Sequence, residues 1–236
     1  MMNKNIDRRS AVKSLIVGSV GTLIAAGSAT DVSAQQTISA NRPTFKTYEP
    51  RNFSFSGIKA IEPEMLEQHI NLYKGYVTNV NKAQTAMTDM LAAGKADTTE
   101  FSETRRRLGF EYSGIRLHEF YFEMIKPEGS AVDAKLKTEV SKVWGSWDNW
   151  IADITRTAMM RGIGWAILYR DPVTGGLQNF WISDHENGHP PAFDPIFVLD
   201  IWEHAYIKQF GAAGRRGYIE ALLKNVDWSI VAKRLR

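Results

Sequence analysis

Residues 200–206 read Asp200-Ile-Trp-Glu-His-Ala-Tyr206, and they follow an apolar run, Ile196-Phe-Val-Leu199, of the length and character of a buried strand. A carboxylate and an imidazole four residues apart, where a strand hands over to a helix, can converge on one cation. The chain has five histidines: His69, His118, His185, His189 and His204. His69 and His118 fall on the apolar stripes of two upstream helical segments, where an imidazole must find either a hydrogen-bond partner or a metal. Phe122, Trp165, Trp181 and Trp202 stand close in sequence to these positions, and an apolar shell of that kind controls solvent access to a metal and tunes its potential. Spacing alone leaves two readings open, since Asp-x-x-x-His also arises by chance and a single histidine is often a hydrogen-bonded structural residue.

Working outward, Leu66, His69, Ile70, Tyr73, Tyr76, Val77 and Val80 recur at three- and four-residue steps, which predicts a helix with one buried face starting at Pro63. Proline is tolerated in a first helical turn. A second helix is expected from about Ser102 to Ile125, with Leu108, Tyr112, Ile115, His118 and Phe122 on one stripe and Pro127 beyond its end. A third helical stretch, Val132 to Met160, is interrupted near Gly145. After Gly162 the period becomes that of strands: Trp165 to Tyr169, a turn carrying Pro172, Gly175 and Gly176, then Leu177 to Ile182. Helical patterns return at about Trp202–Gln209, Gly217–Leu223 and Trp228–Leu235. Helices first, then a short sheet with helices after it, is the order of an α+β protein.

Arg8 and Arg9 precede an apolar run, Leu15 to Ala26, too short to span a bilayer, and the small-residue stretch Val32-Ser33-Ala34 follows it. Residues 1–34 therefore read as a secretory signal of the twin-arginine kind, a receptor-read address and not an anchor, and the expected location is periplasmic or otherwise exported. Removing them takes away Lys4, Arg8, Arg9, Lys13, Asp7 and Asp31, which lowers the formal net charge from +3 to +1. So little residual charge, with no basic cluster alternating with aromatics, argues against nucleic-acid binding. No later run approaches the length of a membrane span. Cysteine is absent, so disulfides are excluded and any metal must be held by nitrogen and oxygen. Residues 35–60 are polar, lack a period, and read as an extended arm.

The segment Asp200–Tyr206 resembles the D-x-W-E-H-A-Y signature of the iron/manganese superoxide dismutases. Val143-Trp-Gly-Ser-Trp147 is similar to that family's F-G-S-F segment, Gly162-Ile-Gly-Trp165 to its G-S-G-W, and Tyr218 through Trp228 to Lys233 to its closing helices. Leu66-Glu-Gln-His69 and His118-Glu-Phe-Tyr121 resemble its two histidine-bearing helices, so the likeness covers about residues 50–236. It implies a helical hairpin domain, residues 61–127, and an α+β domain with a three-stranded antiparallel sheet, residues 128–236. It further implies one Mn or Fe ion per subunit on His69, His118, Asp200 and His204, with room for a water as fifth ligand. The implied reaction converts superoxide to oxygen and hydrogen peroxide, with the metal alternating between its 3+ and 2+ states. Glu203 matches the residue that reaches the ligand histidine of a partner subunit, which implies a homodimer through the Glu203/His204 region.

Several positions depart from the family pattern. Tyr76 matches its site tyrosine, yet His69 stands seven residues before it instead of eight, so the first helix is expected to lack a local bulge. Over seven residues a regular helix returns to within about 20° of the same face, which keeps both side chains inward. The gateway histidine has no counterpart, with Tyr73 the nearest residue, and its usual tyrosine partner is Ile207. The glutamine that bonds the metal's water is missing from both of its usual places: one is Gly114, and the other falls in Ser183-Asp-His185-Glu. His185 is therefore the candidate for that bond, against an exposed loop histidine as the alternative. His189, between Gly188 and Pro190, reads as a loop residue. Beside the dismutase stand two other function classes, a redox metalloprotein of the same fold with weak or no dismutation, and a non-catalytic, metal-stabilised binding protein.

Overall fold

A computed structural model describes residues 42–235. The segment read as a signal and the first part of the arm lie outside the described residues. Two long helices, α1 (Pro63–Ala92) and α2 (Thr99–Glu123), pack against each other as a hairpin. Helices α3 (Ala134–Trp144) and α4 (Trp147–Ala158) follow, then strands β1 (Trp165–Arg170), β2 (Leu177–Ile182) and β3 (Asp194–Asp200). A 3-10 turn, Glu203–Ala205, leads to α5 (Ile207–Phe210), α6 (Arg215–Leu223) and α7 (Trp228–Arg234).

The helix ends follow from capping chemistry. Thr98 accepts the Phe101 N–H and starts α2 at Thr99, three residues before the expected start near Ser102; Asp133 caps α3 through Leu136 N–H, and Ser146 caps α4 through Asn149 N–H. Gly145, with φ +80°, ends α3 in the left-handed conformation that a side chain disfavours. The pause expected near Gly145 is thus a cap on one helix and the entry to the next. Helix α1 is unbroken from Pro63 to Ala92, so His69 and Tyr76 lie two regular turns apart.

The antiparallel sheet has the order β2-β1-β3, with Trp165 facing Ile182 on one side and Asp200 on the other. This register brings Trp165 beside the start of the signature segment. Residues Trp165–Tyr169 are all buried, as a central strand covered on both faces requires. Helix α4 sends Trp150 and Ile154 inward, and Trp150 and Trp228 of α7 both pack on Phe197 of β3, while α2 also packs against β3.

One expectation changes. Trp202–Gln209 is not one helix, because Asp200 Oδ1 accepts the Trp202 N–H at 2.8 Å and opens a 3-10 turn that ends at Tyr206 before α5 begins. The arm has no helix or strand between residues 42 and 60, yet it is fastened to the hairpin. Tyr48 and Asn81 exchange two hydrogen bonds, each 2.9 Å, and Phe53 and Phe55 pack on Phe122.

Candidate metal centre

Four side chains from four elements meet between the hairpin and the sheet. Helix α1 supplies His69, α2 supplies His118, the end of β3 supplies Asp200, and the 3-10 turn supplies His204. One potential ligand atom from each lies within 4.8 Å of every other. The Nε2 atoms of His69, His204 and His118 stand 3.1, 3.3 and 3.7 Å from Asp200 Oδ2. Only His204 retains an appreciably exposed side chain, at 26%.

The donor set fits a cation on its own electrostatics. His118 Nδ1 lies 2.6 Å from the Gly114 carbonyl, which only accepts, so the ring's proton sits on Nδ1 and an Nε2 lone pair faces inward. That Nε2 is fully buried without a hydrogen-bond partner. Opposite it stands a carboxylate oxygen, so two electron-rich atoms face each other, and a cation between them satisfies both. Burial lowers the pKa of His69 and brings that of His118 well below the usual imidazole range, keeping both rings neutral. For Asp200 burial acts in the opposite sense, but His204 and His69 outweigh it and hold the carboxyl well below its usual range. Three imidazoles and one carboxylate suit iron or manganese, and no thiolate is present to favour a softer ion.

Aromatic rings close the surroundings: Trp165 lies edge-on to His118 at 5.0 Å, Phe122 packs on His69 at 4.9 Å, and Trp202 stacks on His204 at 5.8 Å between centroids. Beside this shell Tyr76 and His185 are joined, with His185 Nε2 2.9 Å from the Tyr76 hydroxyl oxygen. The other nitrogen, Nδ1, accepts the Trp165 indole N–H at 3.0 Å. A neutral ring that accepts at Nδ1 carries its proton at Nε2, so His185 donates to Tyr76. Burial lowers the His185 pKa to about 4, which keeps the ring neutral, and burial pushes the Tyr76 phenol well up. His185 is fully buried, so it is no exposed loop residue, but with Nδ1 on Trp165 and Nε2 on Tyr76 neither ring nitrogen is left for a metal-bound water, and the direct bond expected of it is replaced by one to Tyr76.

Tyr73 is placed differently from the expectation for a gateway substitute. Its hydroxyl accepts the Arg51 N–H at 2.8 Å and donates to Glu119 Oε1 at 3.0 Å, so it fastens the arm to α2. Ile207 is 43% exposed and adds no polar group near the ligands. Gly114 leaves room for the Tyr76 ring, since a β-carbon there would stand 2.8 Å from Tyr76 Cδ1. Neither the Trp165 to His185 bond nor this close approach has a periodic signature; the aromatic following Gly164 is their only sequence trace.

Residues 132–234 match the description of iron/manganese superoxide dismutases, C-terminal domain. The chain is 31% identical over 183 residues to an iron superoxide dismutase of Aquifex pyrophilus, covering 75% of this chain and 85% of that protein. It is 29% identical to manganese superoxide dismutase 2 of Haloferax volcanii, covering 74% and 89%. With a superoxide dismutase of Propionibacterium freudenreichii subsp. shermanii designated Mn/Fe it shares 30% identity over 184 residues, or 74% and 90% of the two chains.

Proposed function

From the premise that this chain belongs to the iron/manganese superoxide dismutase family, we propose that it converts superoxide to oxygen and hydrogen peroxide at one iron or manganese ion. The observation that carries the reading is the four-residue cluster His69, His118, Asp200 and His204, with the buried, unpartnered His118 Nε2 facing Asp200. These residues would hold the ion, which when bound would supply one-electron redox chemistry.

The surrounding residues have separate tasks. His185 holds a proton at Nε2 and directs it to Tyr76, while the Trp165 indole fixes the tautomer from the far side. Tyr76 stays protonated and offers its hydroxyl at the edge of the shell, where peroxide formation consumes protons. Trp165, Phe122 and Trp202 keep the site dry, which strengthens its electrostatic interactions. Two copies associate through the Glu203/His204 region; the exposure of Glu203 beside a partly exposed ligand supports that pairing. The mature protein works outside the cytoplasmic membrane after twin-arginine export, a reading supported by Arg8, Arg9 and the Val32-Ser33-Ala34 stretch. Among the described residues no helix is long and apolar enough to cross a membrane.

The test is superoxide consumption by the purified protein with its metal content measured, set against the metal-depleted form. About one ion per chain and catalytic loss of superoxide that disappears on depletion are expected. Bound metal without catalysis would instead favour the same-fold redox protein or the metal-stabilised binder.

A further inference from the structure

The geometry points to His189 as a positioning residue for His185, holding that residue's main chain so that its imidazole stays between Trp165 and Tyr76. This inference rests on the reading that His185 serves the metal site. His185 occupies a tight turn closed by two main-chain bonds, Ser183 N–H to Asn187 O at 2.9 Å and Asn187 N–H to Ser183 O at 3.1 Å. The turn needs left-handed backbone at two points, Asp184 with φ +64° and Gly188 with φ +104°. A non-glycine residue at positive φ persists only where its surroundings over-determine it.

His189 supplies part of that determination. Its Nε2 lies 2.9 Å from the His185 carbonyl oxygen. A carbonyl only accepts, so Nε2 carries the proton, which leaves Nδ1 to accept from the Tyr169 hydroxyl 2.6 Å away. Tyr169 sits on β1, the strand that also carries Trp165. The central strand therefore grips His185 twice, directly at Nδ1 through Trp165, and at the main chain through Tyr169 and His189. Both ring nitrogens of His185 and its carbonyl are engaged, so the imidazole has one orientation available. Fixed orientation is what an outer-shell group needs if it is to set the properties of a metal site.

Three variants of the metal-loaded full-length mature protein test this: His189→Leu, which removes the donor; His189→Gln, whose amide can still reach the carbonyl; and His185→Ala. Dismutation per bound metal, metal content and the midpoint potential of the metal are measured in each. His189→Leu is expected to keep about one metal per chain, lose roughly tenfold in rate and shift the potential in the same direction as His185→Ala. His189→Gln is expected to recover most of both. If His185→Ala changes rate and potential while His189→Leu changes neither, the positioning role is overturned and the reading of His185 stands. If His185→Ala itself is silent, that underlying reading fails. Equal impairment of the Leu and Gln variants would also overturn the inference, because the carbonyl bond would then not be what matters.

Discussion

The ring of Tyr76 lies against the bare α-carbon of Gly114, so closely that a β-carbon there would stand 2.8 Å from Cδ1 and 2.9 Å from Cγ of the ring. Both contacts are near the root of the aromatic side chain, on a helix packed along its length, so the ring cannot swing clear at its tip. Gly114→Ala is expected to push Tyr76 off His185, at about 1–3 kcal/mol of stability, and to lower dismutation. Gly114→Gln, which puts an amide where other family members carry one, is expected to do worse and not to restore a glutamine site. A Gly114→Ala protein with unchanged melting temperature and rate would show that α1 and α2 separate more easily than their packing indicates.

His118→Ala and Asp200→Ala each remove one member of a buried set whose parts come from separate elements. Ligand atoms held close without a cation repel or strand one another, so metal affinity is coupled to folding. Both variants are expected to lose tight metal binding, to melt below the parent, and to be inactive. Retention of about one ion per chain with activity in either variant, measured by metal analysis and superoxide consumption, would refute the ligand assignment.

Glu123 joins three distant parts of the chain: it pairs with Arg51 of the arm and accepts from Arg234 of α7 at 2.8 Å. Burial alone would raise its pKa, but the two guanidinium groups outweigh burial and hold the carboxyl below its usual range. A carboxylate depressed by folding contributes stability that is complete above its unfolded pKa, near 4.5, and is lost as pH falls through the lower folded value. Glu123→Gln is therefore expected to lose about 1–2 kcal/mol at neutral pH, with the partial exposure of the pair keeping the figure modest. The difference from the parent should shrink as pH falls below 4.5. A gap that stays constant across that acid range, in denaturant titrations, would show that charge is not its source.

What could be read from the sequence follows a physical division. The signature at Asp200–Tyr206 is contiguous, and His69 and His118 sit on helical stripes, so chemistry and period coincide at the ligands. The strands are legible because Trp165–Tyr169 is an apolar run, Leu177–Ile182 ends in Phe180-Trp-Ile182, and a turn carrying Pro172, Gly175 and Gly176 separates them. The arm's grip on Tyr73 was not, because it depends on one main-chain N–H of Arg51 in a segment with no period. The break between the 3-10 turn and α5 also escaped, since it arises from Asp200 bonding Trp202 N–H, and aspartate at that position reads equally well as a ligand alone. His189 gave no signal at all; its role depends on which carbonyl its ring meets.

Export makes a prediction about the chain's amino end. The arginine pair, apolar run and small-residue stretch of residues 1–34 are expected to direct export and to be removed, so that the mature protein begins at or close to Gln35. Amino-terminal sequencing of protein from the native host tests this, and replacing Arg8 and Arg9 together by lysine should leave the protein in the cytoplasm. Cytoplasmic protein with an intact Met1 end would overturn the assignment.

His185 is the residue on which the activity of this chain should depend most outside the four ligands. Its Nδ1 accepts from Trp165 and its Nε2–H reaches Tyr76, so its ring spans the gap between a structural indole and the site hydroxyl. Alanine removes both bonds and leaves an indole N–H and a phenol without that partner, but it touches no ligand atom. His185→Ala should therefore retain metal and lose roughly 10- to 100-fold in dismutation, the range of outer-shell groups. His185→Gln separates chemistry from ring size, because an amide oxygen can accept from Trp165 while the amide N–H donates to Tyr76. It should retain more activity than alanine. Metal content, rate and melting temperature of the two variants decide the matter: loss of metal in both would make His185 a ligand, and parental rates in both would confine it to holding the loop.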